Sequence, residues 1–137
     1  MKIIKELNIP SAYLYKVIID SVRYDVEQAI GEPIRECQLE NLSYVKEFGK
    51  NKRAKITILE IEKNKTYKFE TETINNTFIS QYRINQLSST ICQLTYSEDN
   101  LTSNSLQKIN DRMFGIFLGY FKKKRFIQML NAIEQSY

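Results

Sequence analysis

The periodicity of residues 103–137 decides the fold, and these residues read SNSLQKINDRMFGIFLGYFKKKRFIQMLNAIEQSY. Apolar side chains recur at spacings of three and four residues, which is the pattern of one buried helical face. The residues of this face are Leu106, Ile109, Met113, Ile116, Phe117 and Tyr120. The pattern predicts a single long C-terminal helix from Ser103 to Tyr137, and its apolar face requires another layer of structure to pack against.

A predicted antiparallel sheet supplies that layer. Between Leu42 and Leu101, five segments of alternating apolar residues are separated by turn-forming residues. The turns are expected at Gly49–Lys52, Asn64, Asn75–Asn76 and Ser88–Ser89. The second of these segments loses its alternation at Leu59 and Ile61, which predicts a β-bulge or an early exit from the sheet.

Alternate positions of the five segments give the predicted inward face of the sheet. It consists of Leu42, Tyr44, Phe48, Ala54, Ile56, Ile58, Tyr67, Phe69, Phe78, Tyr82, Ile84, Cys92, Leu94 and Tyr96. The opposite positions are mostly charged or amide side chains, so we expect the other face to be solvated.

The N-terminal part of the chain predicts a strand over Lys2–Ile9 and then a helical segment. Pro10 ends the strand, and Ser11 is the predicted N-cap of the helix. The helical pattern over Ser11–Ile30 fits either one unbroken helix or two short helices. Gly31 is the predicted C-terminal stop.

Composition limits the chemistry available to the chain. We expect one domain over residues 1–137, because a chain of this length buries about two thirds of its unfolded surface. The net charge of +4 permits a polyanionic partner without requiring one. The sequence lacks histidine, the commonest general base and the usual nitrogen ligand of zinc. Cys37 and Cys92 are too few for a metal cluster or a disulfide framework, so no metal or cofactor is predicted.

The sequence also predicts a cytoplasmic location. Glu6 and Asn8 interrupt the apolar character of the N-terminus, so we expect no signal peptide. The longest uncharged apolar run, Met113–Phe121, has nine residues, whereas a membrane-spanning helix needs roughly 20. We therefore expect no transmembrane segment.

The order of a strand, a helix, antiparallel strands and a long closing helix resembles the helix-grip fold. Leu-Asn-Ile-Pro-Ser at residues 7–11, followed by Leu14 and Val17, is similar to the strand-to-helix junction of the START-like superfamily. This superfamily, also called SRPBCC, includes Bet v 1 and the polyketide cyclases. Its members range from carriers to enzymes, so the resemblance implies a fold and no particular activity.

Four further segments resemble a small family of uncharacterised proteins of Gram-positive bacteria, a domain of unknown function. They are Gly31, LSYVK at residues 42–46, YSE at residues 96–98 and FLGYFKKKR at residues 117–125. The resemblance implies an α+β protein: a curved antiparallel sheet of six to seven strands around the C-terminal helix, with one or two short helices after the first strand. We count six strands, so residues 32–41, predicted as a loop or a single turn, are the alternative place for a seventh.

A sheet that curves around a helix leaves a wedge, which becomes a ligand pocket where large side chains do not fill it. Inward tyrosines would add hydroxyl groups to a mostly apolar wedge, which suits a small apolar or aromatic molecule. The predicted pocket residues are Tyr44, Tyr67, Tyr82, Tyr96, Glu98, Met113, Phe117 and Tyr120. The alternative is that the rings fill the core and their hydroxyls reach its rim.

Glu98 continues the inward alternation of the last strand, and a carboxylate facing inward must be paired, hydrated or bound to a ligand. Three roles follow: structural ion pairing, ligand contact, or general acid–base catalysis. A single carboxylate without an identified partner does not define a catalytic site, and no catalytic residue is predicted.

The C-terminal helix also offers a surface for interaction. Phe114, Leu118 and Phe121 lie opposite its main apolar face, so they are covered by the Ser11–Ile30 segment or form an exposed patch. Lys122, Lys123, Lys124 and Arg125 follow directly. Together these features fit a homodimer, a protein partner or an anionic membrane surface, or simply a solvated face. A nucleic-acid partner is disfavoured, because no base-reading motif is present.

Three hypotheses emerge. The first is a non-enzymatic cytoplasmic protein that binds a small apolar or aromatic molecule between sheet and helix. The second is an interaction module that acts through the basic and apolar surface of the long helix. The third is an enzyme of the cyclase or hydrolase kind, which requires a polar relay that the sequence does not supply.

Overall fold

The structure, a computed structural model, describes residues 1–49, 52–101 and 122–137. Within these ranges the chain forms an α+β arrangement of six strands and two helices. The elements are β1 (Lys2–Leu7), α1 (Ser11–Ile30), β2 (Ser43–Gly49), β3 (Lys52–Glu62), β4 (Thr66–Glu72), β5 (Thr77–Gln86), β6 (Cys92–Asn100) and α2 (residues 122–135).

The six described strands form one antiparallel sheet in the order β1-β6-β5-β4-β3-β2. Consecutive strands from β2 to β6 are hairpin neighbours, and β1 pairs with β6 at the far end. Asn64 has a φ of 63°, which is the left-handed conformation that the predicted β3–β4 turn requires. The prediction of six strands is confirmed, and Glu36–Gln38 forms a single 3-10 turn where a seventh strand was the alternative.

One unbroken helix of 20 residues, α1, follows β1, so the alternative of two short helices is wrong. Its buried face consists of Leu14, Tyr15, Ile18, Ile19, Val22 and Val26. The predicted cap at Ser11 is also wrong. Pro10 occupies the N-cap position, and its carbonyl oxygen accepts hydrogen bonds from the amides of Tyr13 and Leu14 at 3.1 and 3.2 Å. Proline has the extended backbone that an N-cap needs, and the Ser11 amide donates to the side-chain oxygen of Gln86 at 2.7 Å.

Two β-bulges determine which residues of β2 and β3 face the core. In β3, the register with β4 shifts between Ile58 and Glu60, which confirms the predicted bulge at Leu59 and lets both Ile58 and Ile61 pack toward the core. In β2, the register with β3 shifts between Glu47 and Gly49. The prediction that Phe48 faces inward is therefore wrong, and its side chain is 55% exposed.

The described part of the C-terminal helix, α2, packs on the core through the fully buried Leu130 and the buried Ile133. The Glu134 carboxylate accepts a hydrogen bond from the Asn8 amide at 2.7 Å, and the Tyr13 and Ser136 hydroxyls lie 2.7 Å apart. These contacts hold the end of α2 against the corner between β1 and α1. The predicted helical residues 103–121 lie outside the described residues.

Gly31 is the C-cap residue of α1 and adopts a left-handed backbone conformation. It has a φ of 77°, and its amide donates to the Glu27 carbonyl at 2.9 Å. An added Cβ would meet no atom within 4 Å, so Gly31→Ala changes only backbone strain. We expect Gly31→Ala to lower the free energy of unfolding by about 1 kcal/mol in urea titration. Gly31→Asn, whose side chain tolerates this conformation, is the control and should lose less. Equal stability of the Ala variant and the parent would contradict this account.

Candidate functional site

One face of the sheet carries a row of tyrosines that occupy paired positions on neighbouring strands. Tyr67 pairs with Tyr82, and Tyr82 pairs with Tyr96. The ring centroids of Tyr67 and Tyr82 are 5.7 Å apart, and those of Tyr82 and Tyr96 are 5.0 Å apart. Phe69, two residues further along β4, stacks on Tyr67 with a centroid distance of 4.9 Å. Cross-strand pairing therefore builds a continuous aromatic surface.

Tyr44 extends the tyrosine row toward α1, where it meets an ion pair. The Lys46 ammonium lies 2.8 Å from the Asp25 carboxylate, and this pair joins β2 to α1. Burial, with the Asp25 charge nearby, raises the pKa of Tyr44 to about 12. A carboxylate thus stands beside this end of the row, and its charge is balanced by a lysine.

Glu98 lies near the other end of the row, next to Tyr96. Lys122 of α2 donates to both carboxylate oxygens at 2.6 and 2.7 Å, and the Tyr96 hydroxyl donates to one of them at 2.7 Å. The Glu98 side chain is only 14% exposed. Burial alone would raise the pKa of Glu98, but the bonds from Lys122 and Tyr96 outweigh it and hold this pKa below its usual value.

The phenols of the row are neutral at physiological pH. Burial and the nearby Glu98 charge raise the pKa of Tyr82 to about 12. Burial raises the pKa of Tyr67 and Tyr96 further, and the Glu98 carboxylate adds to the effect at Tyr96. These hydroxyl groups therefore act as hydrogen-bond donors, and they do not supply a base near pH 7.

Phe126 of α2 covers part of the row. Its ring centroid lies 4.5 Å from that of Tyr96 and 5.9 Å from that of Tyr82. The sequence analysis did not place Phe126 in the site, although Phe126, Leu130 and Ile133 continue the spacing of four and three that marks the buried helical face. That spacing was the signal that would have identified it.

The structure thus brings five of the predicted pocket residues to one face: Tyr44, Tyr67, Tyr82, Tyr96 and Glu98. The other three, Met113, Phe117 and Tyr120, lie outside the described residues, as does the apolar patch of Phe114, Leu118 and Phe121.

The predicted basic group at the start of α2 divides into two parts. Lys122 is paired with Glu98, whereas Lys123, Lys124 and Arg125 are exposed and form no ion pair with another described residue. The pairing partner of Lys122 and the Asp25–Lys46 pair were not predicted, because partners 24 and 21 positions apart leave no local pattern in the sequence.

The described residues contain neither a cluster of metal-binding side chains nor a helix that spans a membrane. Within residues 1–49, 52–101 and 122–137, no three histidine, cysteine, aspartate or glutamate side chains lie close enough together to hold a metal. Cys37 is an exposed free thiol, and Cys92 is a buried one. The helices in those ranges are too short or too polar to cross a bilayer.

Several solved structures share this arrangement of elements. The solution structure of a protein from Arthrobacter aurescens has a TM-score of 0.66 and 11% identity, over 99% of this chain and 86% of its own. The aromatase/cyclase Zhui from Streptomyces sp. R1128 gives 0.64 and 12%, over 99% and 91%. Norcoclaurine synthase from Thalictrum flavum gives 0.63 and 10%, over 98% and 83%. The class of protein is therefore an α+β protein with the helix-grip type of fold found in the START-like superfamily.

The sequence identifies the family within that class. Residues 1–119 match the family described as a domain of unknown function, DUF3284, and the chain belongs to it. The predicted likeness to a domain of unknown function is confirmed. A comparison with curated proteins found no match.

The Glu98–Lys122 pair predicts a pH-dependent contribution to stability. Because the pKa of Glu98 is lowered in the folded state, its contribution is present above the unfolded pKa and is lost as pH falls through the folded pKa. We expect Glu98→Gln to cost about 1–2 kcal/mol of unfolding free energy at neutral pH, measured by urea titration. This cost should shrink as pH falls below about 4.

Glu47→Gln is the matched control, because Glu47 pairs with Arg53 on an exposed part of the sheet at 3.3 Å. We expect a change of less than about 0.5 kcal/mol for it at any pH. A cost of Glu98→Gln that stays constant between neutral and acidic pH would show that the charge of Glu98 does not matter.

Proposed function

We propose that this protein binds a small apolar or aromatic molecule between the concave face of the sheet and the C-terminal helix. The observation that carries the proposal is the state of three phenols in an otherwise apolar surface. Tyr44 and Tyr67 are buried and Tyr82 is half-buried, yet none of their hydroxyls bonds to another described residue. These hydroxyls are therefore available to donate hydrogen bonds to a ligand oxygen at this face.

The surroundings of these phenols favour an uncharged ligand with an acceptor oxygen. The phenols donate hydrogen bonds, and the rings of Tyr67, Phe69 and Tyr82 offer flat faces that stack with one another within 20–25°. Flat faces of this kind pack well against an aromatic ring. The two carboxylates beside the row, Asp25 and Glu98, are each neutralised by a lysine, so no unbalanced charge selects a charged ligand.

Two of the solved structures with this fold support an aromatic ligand. Norcoclaurine synthase from Thalictrum flavum has been determined in complex with dopamine and hydroxybenzaldehyde, both small aromatic molecules. Zhui is an aromatase/cyclase. Identities of 10–12% carry the fold and not the activity, so the ligand class here rests first on the phenols.

Binding without catalysis fits the site better than an enzyme does. A general base needs a carboxylate oxygen free to accept a proton, and Lys122 and Tyr96 occupy the oxygens of Glu98. A general acid needs a raised pKa, whereas the pKa of Glu98 is lowered. We therefore propose that the protein is a carrier or a sensor, and that it acts in the cytoplasm.

A second candidate function is contact with an anionic membrane surface. The observation that favours it is the exposure of Lys123, Lys124 and Arg125 at the start of α2, without ion pairs to described residues. Met129, one turn further along, is 40% exposed and adds an apolar side chain. Adjacent basic and apolar side chains on a helix suit an anionic lipid surface.

Tyr82→Phe tests ligand binding, because it removes one hydroxyl and keeps the ring. The probe is prodan, a neutral naphthalene ketone whose emission shifts to the blue when it leaves water. We expect saturable binding to the parent protein and about fivefold weaker binding to Tyr82→Phe, equivalent to one lost hydrogen bond of about 1 kcal/mol.

Tyr24→Phe is the control, since Tyr24 is 62% exposed on α1, and its affinity should equal that of the parent. If the parent binds no prodan, or if Tyr82→Phe lowers the unfolding free energy without changing affinity, the rings are core filling and the binding proposal fails.

The membrane proposal predicts that the parent cosediments with phosphatidylserine vesicles. We expect Lys123→Gln with Lys124→Gln to weaken this binding by about tenfold or more, because each lysine near the surface contributes about 1 kcal/mol. Lys122 is left unchanged to preserve its pair with Glu98. The control, Lys52→Gln with Lys55→Gln, removes the same charge elsewhere. Equal loss in both double variants would indicate net charge alone, and the α2 surface would then have no special role.

A further inference from the structure

A cleft of about 500 Å³ lies apart from the tyrosine row, where the ends of β3, β4 and β5 meet the first residue of α1. All but one of the residues that line it, Ile84, have hydroxyl, amide or charged side chains. None of the tyrosines of the candidate site is among the residues that line it. The cleft is therefore a second, chemically different concavity.

A Thr–Arg–Thr row crosses the cleft. Thr66 on β4 pairs with Arg83 on β5, and Arg83 pairs with Thr95 on β6. Side chains at directly paired positions share one face of a sheet, with Cβ atoms about 4.5–5.5 Å apart. All three residues line the cleft. The sheet thus places a guanidinium group between two hydroxyl groups.

Thr66 is only 8% exposed, and its hydroxyl forms no hydrogen bond with another residue in the described part of the chain. The Thr66 hydroxyl is therefore available to donate a hydrogen bond to a ligand atom in the cleft. The Arg83 guanidinium likewise forms no ion pair with a described residue. Two unpartnered groups therefore lie side by side in one concavity.

The electrostatics of the cleft favour an anion. Its charged lining consists of Lys65, Arg83 and Glu62, and the carboxylate of Glu62 is balanced by the Lys65 ammonium at 3.6 Å. The N-terminus of α1 adds positive potential, since its first turn has no acidic residue, although the Ser11 amide itself donates to the side-chain oxygen of Gln86 at 2.7 Å. Arg83 is left as the uncompensated charge.

We propose that this cleft binds the oxyanion group, a carboxylate or a phosphate, of a small polar molecule. Arg83 supplies the charge, and Thr66 and Thr95 donate hydroxyl hydrogen bonds. Asn85 and Gln93, the next paired positions along β5 and β6, line the same cleft and offer amide groups to the rest of the molecule. The volume exceeds that needed for an inorganic ion and suits a small metabolite.

The experiment is titration of the isotope-labelled protein, followed by amide NMR, with sodium phosphate, sodium acetate and sodium chloride at equal ionic strength. We expect saturable shifts at the amides of Ser11, Thr66 and Arg83 with phosphate or acetate and none with chloride. Saturation by phosphate alone assigns the site to phosphate esters, and saturation by acetate alone assigns it to carboxylic acids. Shifts that never saturate, or that chloride reproduces, overturn the proposal.

Variants separate the site from general charge effects. Arg83→Gln should weaken anion affinity by about tenfold, because it removes the charged partner of the oxyanion. Arg53→Gln removes the same charge from an exposed position on β3 that does not line the cleft, and it should leave affinity unchanged. Thr66→Val, which keeps the shape of the side chain, should weaken affinity by about fivefold. Equal affinity of Arg83→Gln and the parent would refute the assignment.

Discussion

The packing of Phe126 across Tyr82 and Tyr96 is the contact on which the described architecture depends. A twisted sheet with one apolar face is stable only when another layer covers that face. Among the described residues, α2 contributes to this cover through Phe126, Leu130 and Ile133, and α1 contributes through its own apolar face. Tyr67 and Tyr96 are buried in this packing, and Tyr82 is half-buried.

Two ion pairs lie beside the tyrosine row, one near each end, and they affect the pKa values of its phenols. Asp25–Lys46 joins α1 to β2, and Glu98–Lys122 joins β6 to α2. Each carboxylate raises the pKa of the phenols near it, and each is itself neutralised by its lysine. The pairs therefore favour neutral, donating phenols and leave no net charge beside them. Such a surface suits acceptor oxygens on uncharged molecules, the ligand class that we propose.

Local patterns in the sequence predicted local features of the fold well. Loss of alternation at Leu59 identified the bulge in β3, and Gly31 identified the end of α1. Phe48 was misplaced because the second bulge lies beside a turn, where a two-residue period is too short to show a phase change. The partners of Glu98 and Asp25 were not predictable, since ion pairs between distant segments depend on register and packing that one sequence does not display. The Thr–Arg–Thr row was not predicted for the same reason, because only the register of the strands brings its residues together.

The contacts at the end of α2 join segments that lie far apart in the sequence. The Glu134 carboxylate bonds to the Asn8 amide across 126 positions, and Ser136 meets Tyr13 across 123. Contacts of such long sequence separation form late, because closing a long loop costs entropy before any packing is gained. On the ribosome, β2 to β6 are synthesised before α2, so the rings of Tyr82 and Tyr96 lack their contact with Phe126 until residues 122–135 emerge. The contact between α2 and the tyrosine row is therefore one of the last to form during synthesis.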